Sequence, residues 1–314
     1  AMESMTYDNY FKDRTVLVTG GGGFIGSHLT QHLTSLGAYV RVLDDLSTGH
    51  RTNLCPIDAT LIEGSILDND ILEEVTQGCS LVFHEAAFVS VPESFEDKDR
   101  CLTINVDGTS NVIRAAQKAG CERVVFASTA ACYGSHPILP SSETDQISAE
   151  SPYAQSKVMG EQLMKEATVD AVSLRYFNAF GARQDPKSAY SAVVTSFADA
   201  IKKRRPIVVY GDGEQTRDFV PVENIVHANL LAASHPKPLM GDVFNVGTGK
   251  GISLLELIQL ISENTDVEVL YKEQRTGDVR DSRANITNIS TTLGYSTIIE
   301  TGVALGMMVN RTRC

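Results

Sequence analysis

Short apolar segments alternate with longer amphipathic segments through the first half of the chain. The apolar segments have the length of β-strands, and the amphipathic ones repeat apolar residues at helical spacing, as Ile25, Leu29 and Leu33 do. The predicted strands span residues 15–20, 39–44, 59–64, 80–87, 123–129 and 171–178, and the predicted helices residues 26–36, 68–77, 105–119 and 153–167. This pattern predicts an α/β fold, a doubly wound parallel sheet with helices on both faces.

A glycine-rich loop follows the first predicted strand. Gly20, Gly23 and Gly26 are spaced three residues apart, directly before the first helix. Glycine permits a tight turn and a close approach to a pyrophosphate, whose negative charge is favoured at a helix N-terminus. Asp44 ends the second predicted strand and can accept hydrogen bonds from ribose hydroxyls, while the neighbouring Asp45 would repel a 2′-phosphate. The loop therefore predicts a Rossmann-type site for NAD rather than NADP.

The regular alternation ends near residue 179, and the rest of the chain is richer in irregular polar loops. We expect an N-terminal extension over residues 1–13 and an NAD-binding domain over residues 14–178, to which residues 220–248 return. Residues 179–219 and 249–314 are then expected to form a smaller C-terminal domain that binds the substrate.

The composition argues against several other classes of protein. The formal net charge is −12, so the surface repels phosphates at long range and we expect no nucleic-acid partner. No apolar run approaches the roughly 20 residues that span a bilayer, and the first fourteen residues are too polar for a signal peptide, which predicts a cytoplasmic protein without a membrane partner. The six cysteines and seven histidines show no metal-binding spacing, so no metal is expected.

Tyr153 and Lys157 are the strongest catalytic candidates. They are four residues apart in a predicted helix and therefore share one face. A tyrosine with its ordinary pKa of about 10 is a poor base at neutral pH, but an adjacent ammonium and an oxidised nicotinamide stabilise the phenolate. Together with the glycine-rich loop and the hydroxyl residues Ser128 and Thr129 at the end of the preceding strand, the pair predicts that Tyr153 acts as a base.

With these residues identified, the chain resembles the extended branch of the short-chain dehydrogenase/reductase superfamily. Within that branch it is most similar to nucleotide-sugar 4-epimerases of the UDP-glucose and UDP-N-acetylglucosamine type. The resemblance runs from about residue 14 to the end of the sequence. It rests on ten motifs in order: TGGGGFIG, LDDLSTG, HEAAFVSVPES, NVDGT, STAACYG, YxxxK at 153–157, LRYFNAFGARQDP, GDGEQTRDFV, FNVGTG and RTGDVRDS.

The resemblance implies a set of residues around NAD. Lys157 would bridge the nicotinamide ribose and tune Tyr153, while Ser65 departs from the Asp-Ile that relatives usually place beside adenine. Val89 stands where glucose-type epimerases have a lysine. The full implied cofactor set is Gly20, Gly23, Phe24, Ile25, Gly26, Asp44, Ser47, Gly49, Ser65, Ile66, Ala86, Ala87, Asn105, Ser128, Tyr153, Lys157 and Tyr176.

The resemblance also implies a site for a UDP-sugar substrate. Thr129 would hydrogen-bond the 4-oxygen of the sugar and complete a catalytic set with Tyr153 and Lys157. Asn178, Arg217 and Arg275 would lie near the diphosphate. Arginine suits this position, since its guanidinium group donates two hydrogen bonds at once to phosphate oxygens. Tyr210 and the 191–194 segment, which includes Val193, would lie near uracil. Asp278 would contact the uridine ribose, and Ser282 would lie beside the hexose. Ser90 completes the implied substrate set.

Three alanine and serine positions narrow the expected reaction. Dehydratases and decarboxylases of this branch carry acidic residues where this chain has Ala130 and Ala131, so the resemblance implies 4-epimerisation through a transient 4-keto sugar. Glucose-specific relatives carry a bulky tyrosine where this chain has Ser282, and a small residue leaves room for an N-acetyl group. The expected activity is therefore interconversion of UDP-N-acetylglucosamine and UDP-N-acetylgalactosamine, with UDP-glucose and UDP-galactose as possible further substrates.

Several alternatives remain open at the level of sequence. The enzyme could act on UDP-glucose only, or be a UDP-glucuronate 4-epimerase or decarboxylase. A catalytically silent NAD-sensing regulator is disfavoured because both Tyr153 and Lys157 are present. The small and apolar residues of helices 105–119 and 153–167 fit either core packing or a dimer interface, and the resemblance implies a homodimer.

Overall fold

Strands and helices follow one another through most of the chain in the computed structural model, which describes residues 5–186, 193–263 and 265–312. The strands are β1 (Thr15–Thr19), β2 (Tyr39–Asp44), β3 (Thr60–Glu63), β4 (Leu81–His84), β5 (Arg123–Thr129), β6 (Asp170–Tyr176), β7 (Asn178–Phe180), β8 (Ile207–Tyr210), β9 (Thr216–Arg217), β10 (Phe219–Pro221), β11 (Asp242–Val246), β12 (Ile252–Ser253) and β13 (Val269–Lys272). The helices are α1 (Phe24–Ser35), α2 (Asn69–Thr76), α3 (Val91–Glu96), α4 (Lys98–Leu102), α5 (Gly108–Ala119), α6 (Pro152–Glu166), α7 (Val193–Lys202), α8 (Val222–Ser234), α9 (Leu254–Ser262), α10 (Thr287–Leu293) and α11 (Thr301–Thr312).

Seven parallel strands form the main sheet in the order β11-β6-β5-β4-β1-β2-β3. The chain moves outward from β1 to β3 and then returns to build the other half from β4, so the order reverses between β1 and β4. Ligands of such sheets bind in the crevice outside the carboxyl ends of the strands at this reversal. The sheet confirms the predicted Rossmann-type α/β fold.

Alternate residues of each strand supply two apolar cores on opposite faces of the sheet. Val16 and Val18 of β1 belong to the core covered by α1 and α8, whereas Leu17 between them belongs to the core covered by α2, α5 and α6. Strands buried on both faces are apolar almost throughout, which is why the sequence shows them as continuous apolar runs.

The region before α5 is more complex than the single predicted helix over residues 105–119. Two short helices, α3 and α4, precede it, and residues Thr103–Asp107 form a π-helical turn before α5 begins at Gly108. π-Turns are uncommon and frequently lie at functional sites. Here the turn contains Asn105, one of the residues predicted to line the cofactor.

After β6, the described residues contain five helices and three small two-stranded sheets. Phe197, Leu257 and Leu305 belong to a third apolar core, built by α7, α9 and α11. Residues 242–246 form β11, which pairs with β6 at the edge of the main sheet. The predicted division into an NAD-binding and a substrate-binding domain stays a prediction.

The segment before β1 packs against the main sheet. Phe11 is completely buried and its ring lies 6.5 Å from that of Phe83 in β4. Tyr7 is also buried, and its hydroxyl is 2.8 Å from Nδ1 of His227 in α8. Residues 5–13 therefore contribute to the core of the sheet, beyond what their prediction as an extension implied.

Within the described residues, no helix is long and apolar enough to cross a membrane. The predicted cytoplasmic location stays a prediction.

We predict that Phe11→Ala lowers the free energy of unfolding by about 3 to 5 kcal/mol, because it removes a fully buried aromatic ring and leaves a cavity. Urea unfolding followed by circular dichroism measures this change. Tyr39→Ala is the matched control, since Tyr39 is 62% exposed, and we expect it to cost less than about 1 kcal/mol. Equal effects of the two substitutions would contradict a core role for the segment.

Candidate active site

The turn between β1 and α1 forms the first part of the site. Gly20 has a φ of +70°, a conformation that favours glycine. A Cβ at Gly26 would lie 2.2 Å from the carbonyl oxygen of Gly20, so only glycine allows α1 to start so close to the strand. No side chain caps the N-terminus of α1 at Gly23. The main-chain N–H groups that begin this helix can therefore bind a pyrophosphate, as predicted for Phe24 and Ile25.

Asp44 lies at the carboxyl end of β2, next to this turn. Its buried carboxylate accepts hydrogen bonds from the main-chain N–H of Gly22 and of Leu46, each at 2.8 Å. Burial raises the pKa of Asp44, and the two main-chain donors act against that rise. A Cβ at Gly49 would lie 2.8 Å from the same carboxylate, so glycine keeps this side of it open. Each carboxylate oxygen retains a lone pair for a ribose hydroxyl.

Other predicted adenosine contacts are already engaged in local hydrogen bonds. The hydroxyl of Ser47 donates to Asp45 at 2.7 Å, and Ser65 Oγ accepts from the N–H of Leu67 at 3.1 Å. Ile66 is buried, with its side chain against Gly108 at the start of α5. Ser65 keeps its hydroxyl proton for donation, but it lacks the carboxylate that relatives place at this position.

The loop after β4 is held from behind by two buried side chains. His84 bridges the hydroxyls of Thr19 and Thr109 at 2.7 and 2.8 Å, and burial lowers its pKa to about 3. Thr19 in turn accepts from the N–H of Ala86 at 3.1 Å. A neutral His84 is therefore a structural bridge, and it fixes the loop that carries the predicted cofactor residues Ala86 and Ala87.

Asn105 supports the same loop from the π-turn. Its Oδ1 accepts from the N–H of Phe88 at 2.7 Å, and its Nδ2 donates to the carbonyl of Phe88 at 3.0 Å and to Ser156 Oγ at 2.9 Å. Because its amide is buried and engaged in these three bonds, Asn105 ties the loop to α6 rather than presenting a free polar group. Its predicted place in the cofactor site is thus that of a support.

Tyr153, Lys157 and Thr129 come together where β5 ends against α6. Thr129 hydrogen-bonds the phenol of Tyr153, and its Oγ1 also accepts from the N–H of Ala131 at 3.1 Å. Burial raises the pKa of Tyr153 to about 12, whereas the bond from Thr129 lowers it. The protein alone therefore leaves Tyr153 protonated at neutral pH, and further positive charge is needed to make it a base.

Lys157 is buried beside this tyrosine. Its Nζ donates to the carbonyl of Ala127 at 2.8 Å and lies 6.0 Å from the centre of the Tyr153 ring. Burial lowers the pKa of Lys157 to about 8, while the negative charges of Glu85 and Glu161 act in the opposite direction. The neighbouring carboxylates therefore favour the charged ammonium, against the effect of burial.

Ser128 faces the opposite side of β5 from Thr129. Its buried hydroxyl donates to Glu161 Oε2 at 2.5 Å, and Glu161 is paired with Arg175 of β6. Ser128 is among the residues implied to lie around NAD, but side chains alternate along a strand and its hydroxyl is directed to Glu161 of α6. The predicted contact of Ser128 with the cofactor stays a prediction.

Sequence reasoning missed Glu85, which follows β4 directly. The hydroxyl of Tyr176 donates to Glu85 Oε1 at 2.5 Å, and Nδ2 of Asn229 lies 2.9 Å from the same hydroxyl. Burial raises the pKa of Glu85 to about 7. An acidic residue inside the predicted strand 80–87 was the available sequence signal.

Several predicted substrate residues meet at β9. Arg217 pairs with Asp278 at 3.2 Å, and Thr216 Oγ1 donates to Asp281 at 2.7 Å. The N–H of Ser282 donates to the carbonyl of Thr216 at 3.2 Å. The RTGDVRDS motif therefore lies alongside the GDGEQTRDFV motif, as a shared substrate site requires.

A second group is formed by Tyr210 and Arg275. The guanidinium of Arg275 lies 4.0 Å from the centre of the Tyr210 ring, and its hydrogen bond to the phenol lowers the pKa of Tyr210. Asn178 is exposed in β7, two residues beyond the end of β6. Val193 begins α7, and residues 191 and 192 of the predicted uracil segment lie outside the described residues. Ser90 Oγ caps α3 by accepting from the N–H of Glu93.

The residues present fit a bound dinucleotide. The turn at Gly20 and Gly26 has no room for side chains, the start of α1 is uncapped, and Asp44 ends the neighbouring strand. A dinucleotide bound at this turn could extend along the carboxyl edge of the sheet to Tyr153 and Lys157. In the part of the chain that the structure describes, no three His, Cys, Asp or Glu side chains are grouped to hold a metal ion. The arrangement can bind NAD and move a proton at a tyrosine.

Comparisons with known proteins agree with this geometry. Residues 16–247 match the NAD dependent epimerase/dehydratase family. The chain is 35% identical to a UDP-glucose 4-epimerase of Mycolicibacterium smegmatis over 291 residues, which cover 89% of this chain and 92% of the relative.

Two solved structures are similar over nearly their whole length. One is the UDP-N-acetylglucosamine 4-epimerase of Methanobrevibacter ruminantium in complex with UDP-N-acetylmuramic acid, with a TM-score of 0.90, 36% identity, and coverage of 95% of this chain and 98% of that chain. The other is the UDP-glucose 4-epimerase of Thermus thermophilus in complex with NAD, with a TM-score of 0.86, 33% identity, and coverage of 95% and 99%.

We predict that Gly26→Ala weakens NAD binding by at least about tenfold, or roughly 1.4 kcal/mol, because the new methyl group pushes the start of α1 away from Gly20. Calorimetric titration of nucleotide-free protein with NAD measures the affinity. Gly302→Ala in α11 is the control, since a methyl group there meets no atom within 4 Å. Undiminished affinity in Gly26→Ala would rule out this turn as the pyrophosphate site.

Proposed function

This chain belongs to the NAD dependent epimerase/dehydratase family, and from that premise we propose that it interconverts UDP-N-acetylglucosamine and UDP-N-acetylgalactosamine at C4 of the hexose. The broader assignment, an NAD-dependent nucleotide-sugar 4-epimerase, follows from its relatives and structural neighbours. The observation that carries the proposal is the joint placement of Tyr153, Thr129 and Lys157 at the carboxyl edge of the sheet.

Each of these three residues has a defined role in the proposed reaction. Tyr153 removes the proton of the sugar 4-hydroxyl and later returns it, and Thr129 holds the 4-oxygen. Lys157 stabilises the phenolate of Tyr153 through its charge. NAD, when bound, would supply reversible hydride transfer with C4 of the hexose, so the reaction as a whole would have no net redox change. Between the two hydride transfers, the 4-keto sugar rotates to present its other face. The hexose must therefore be held loosely, and most of the binding energy must come from the UDP moiety.

Ala130 and Ala131 favour epimerisation over elimination. They form the start of the 3₁₀ turn Ala130–Tyr133, directly after Thr129, and neither can act as an acid or a base. Eliminating water from the sugar needs such groups in addition to Tyr153. A turn without carboxylates is therefore suited to oxidation and reduction at C4 alone.

Ser282 supports the preference for N-acetylated sugars. Its main chain is bonded to Thr216, next to Arg217, so a small side chain stands in the region proposed to bind the substrate. UDP-glucose 4-epimerase activity is the second candidate, because two of the three similar proteins above carry that name. A homodimer is also proposed, and Met159 of α6, which is 47% exposed, would lie in its interface.

We predict that Tyr153→Phe lowers kcat by about 10² to 10⁴, because it removes the proposed base. The assay incubates purified enzyme with UDP-N-acetylglucosamine, UDP-glucose or UDP-glucuronate, without added NAD, and separates the products by chromatography. Tyr271→Phe is the control, since Tyr271 is 58% exposed. Unchanged epimerisation in Tyr153→Phe would remove this tyrosine from the mechanism.

We predict that Ser282→Tyr lowers the ratio of kcat/KM for UDP-N-acetylglucosamine to that for UDP-glucose by at least about tenfold, because the ring occupies the space of the N-acetyl group. Competition assays with both substrates measure the ratio directly. Ser296→Tyr adds the same side chain at an exposed position and should leave the ratio unchanged. Wild-type protein that converts UDP-glucose far faster than UDP-N-acetylglucosamine would overturn the specificity argument.

A further inference from the structure

We propose that Glu85 is a positioning residue for the reaction. Its carboxylate, held by Tyr176, keeps the buried ammonium of Lys157 charged at the alkaline end of the pH range in which the enzyme is active. The residue directly precedes Ala86 and Ala87 in the loop predicted to bind NAD, and its carboxylate accepts a hydrogen bond from the hydroxyl of Tyr176. The inference rests on the proposed Tyr153–Lys157 chemistry and adds a third group to it.

The backbone brings Glu85 next to the proposed catalytic pair. His84 pairs with Phe126 across β4 and β5, so Glu85 follows beside Ala127. The carbonyl of Ala127 is the acceptor for Lys157 Nζ at 2.8 Å. On the next strand, Tyr176 pairs with Thr129, the hydrogen-bond partner of Tyr153. Glu85, Lys157 and Tyr153 therefore lie together around the carboxyl end of β5.

The hydrogen bonds around Tyr176 fix which group carries the proton. Nδ2 of Asn229 donates to the carbonyl of Ile225 at 2.9 Å, which sets the orientation of the amide, and it also donates to the hydroxyl of Tyr176 at 2.9 Å. The hydroxyl proton of Tyr176 must then point to Glu85, at 2.5 Å. This donor stabilises the ionised carboxylate, as short hydrogen bonds to charged acceptors do.

The titratable groups around Glu85 come from three elements. Lys157 and Tyr153 lie on α6, Tyr176 on β6, and the neutral His84 precedes it on β4. Lys157 also faces Glu161 of its own helix and Cys101 of α4, whose thiol is buried. Among these, Glu85 has the largest raising effect on the pKa of Lys157.

The ionisation of Glu85 falls in the physiological range. Burial raises its pKa to about 7, while Tyr176 and Lys157 act against that rise. Below this pH the group is protonated and exerts no charge on Lys157. Above it the carboxylate forms and raises the pKa of Lys157, so the ammonium survives to a higher pH than burial alone allows.

The experiment is a pH profile of kcat with the faster of UDP-N-acetylglucosamine and UDP-glucose. Glu85→Gln keeps an oxygen for the Tyr176 hydroxyl but removes the charge. We expect its alkaline limb to move to lower pH by roughly one unit. The acid limb should move less, because wild-type Glu85 already carries a proton there. Thermal melting of each variant verifies that it is folded.

Two further variants separate this effect from a structural one. Tyr176→Phe raises the pKa of Glu85 by removing its donor, so it should shift the alkaline limb in the same direction by a smaller amount, and it should add no shift in the Glu85→Gln background. Glu96→Gln removes the same charge at an exposed position of α3 and should move neither limb. An alkaline limb that stays in place or moves upward in Glu85→Gln would overturn the inference.

Failure of this inference differs from failure of the proposed mechanism. If Tyr153→Phe is inactive and Glu85→Gln has the wild-type profile, only the role of Glu85 is wrong. If Tyr153→Phe remains active, the catalytic assignment itself is wrong, and the profiles of Glu85 variants report on another base.

Discussion

The bidentate ion pair between Glu161 of α6 and Arg175 of β6 is the interaction on which the geometry of the site depends. Nε and Nη2 of Arg175 reach the two carboxylate oxygens at 2.9 and 2.7 Å, and both side chains are buried. Burying two charges costs more free energy than their attraction returns unless every polar atom finds a partner. Ser128 and Tyr133 provide partners at 2.5 and 3.0 Å, which help to hold the pair in this arrangement.

That arrangement sets which face of α6 meets the sheet. Glu161, Lys157 and Tyr153 are spaced four residues apart, so fixing the first also directs the other two to the ends of β5 and β6. Gly160 allows the approach, since a Cβ there would lie 2.5 Å from the ring of Phe126. The close packing also removes water from Lys157, which lowers its pKa and creates the need for neighbouring negative charge.

The parts of the site that could be predicted from sequence are those set by local chain geometry. The glycine spacing before α1, the four-residue spacing of Tyr153 and Lys157, and the apolar strands each fall within one element. The supporting contacts join distant segments instead: Tyr176 and Glu85 are 91 residues apart. Such pairs depend on strand order, which the pattern of strands and helices does not specify. Ser128 shows the same limit at closer range, because the alternation of side chains in β5 directs its hydroxyl to Glu161, on the opposite side of the strand from Thr129.

A carboxyl group inside the site bears on the class of reaction. Ala130 and Ala131 disfavour elimination because they supply no acid or base beside Thr129, yet Glu85 places a titratable carboxyl near Lys157 and Tyr153. The position of this carboxyl distinguishes a role in elimination from a role at Lys157. One of its oxygens is bonded to Tyr176, at the end of β6, whereas the dehydratases that this chain resembles carry their acidic residues at the turn that begins with Ala130. In the proposed mechanism this carboxyl acts on the charge of Lys157, and the chemistry at the sugar is confined to C4.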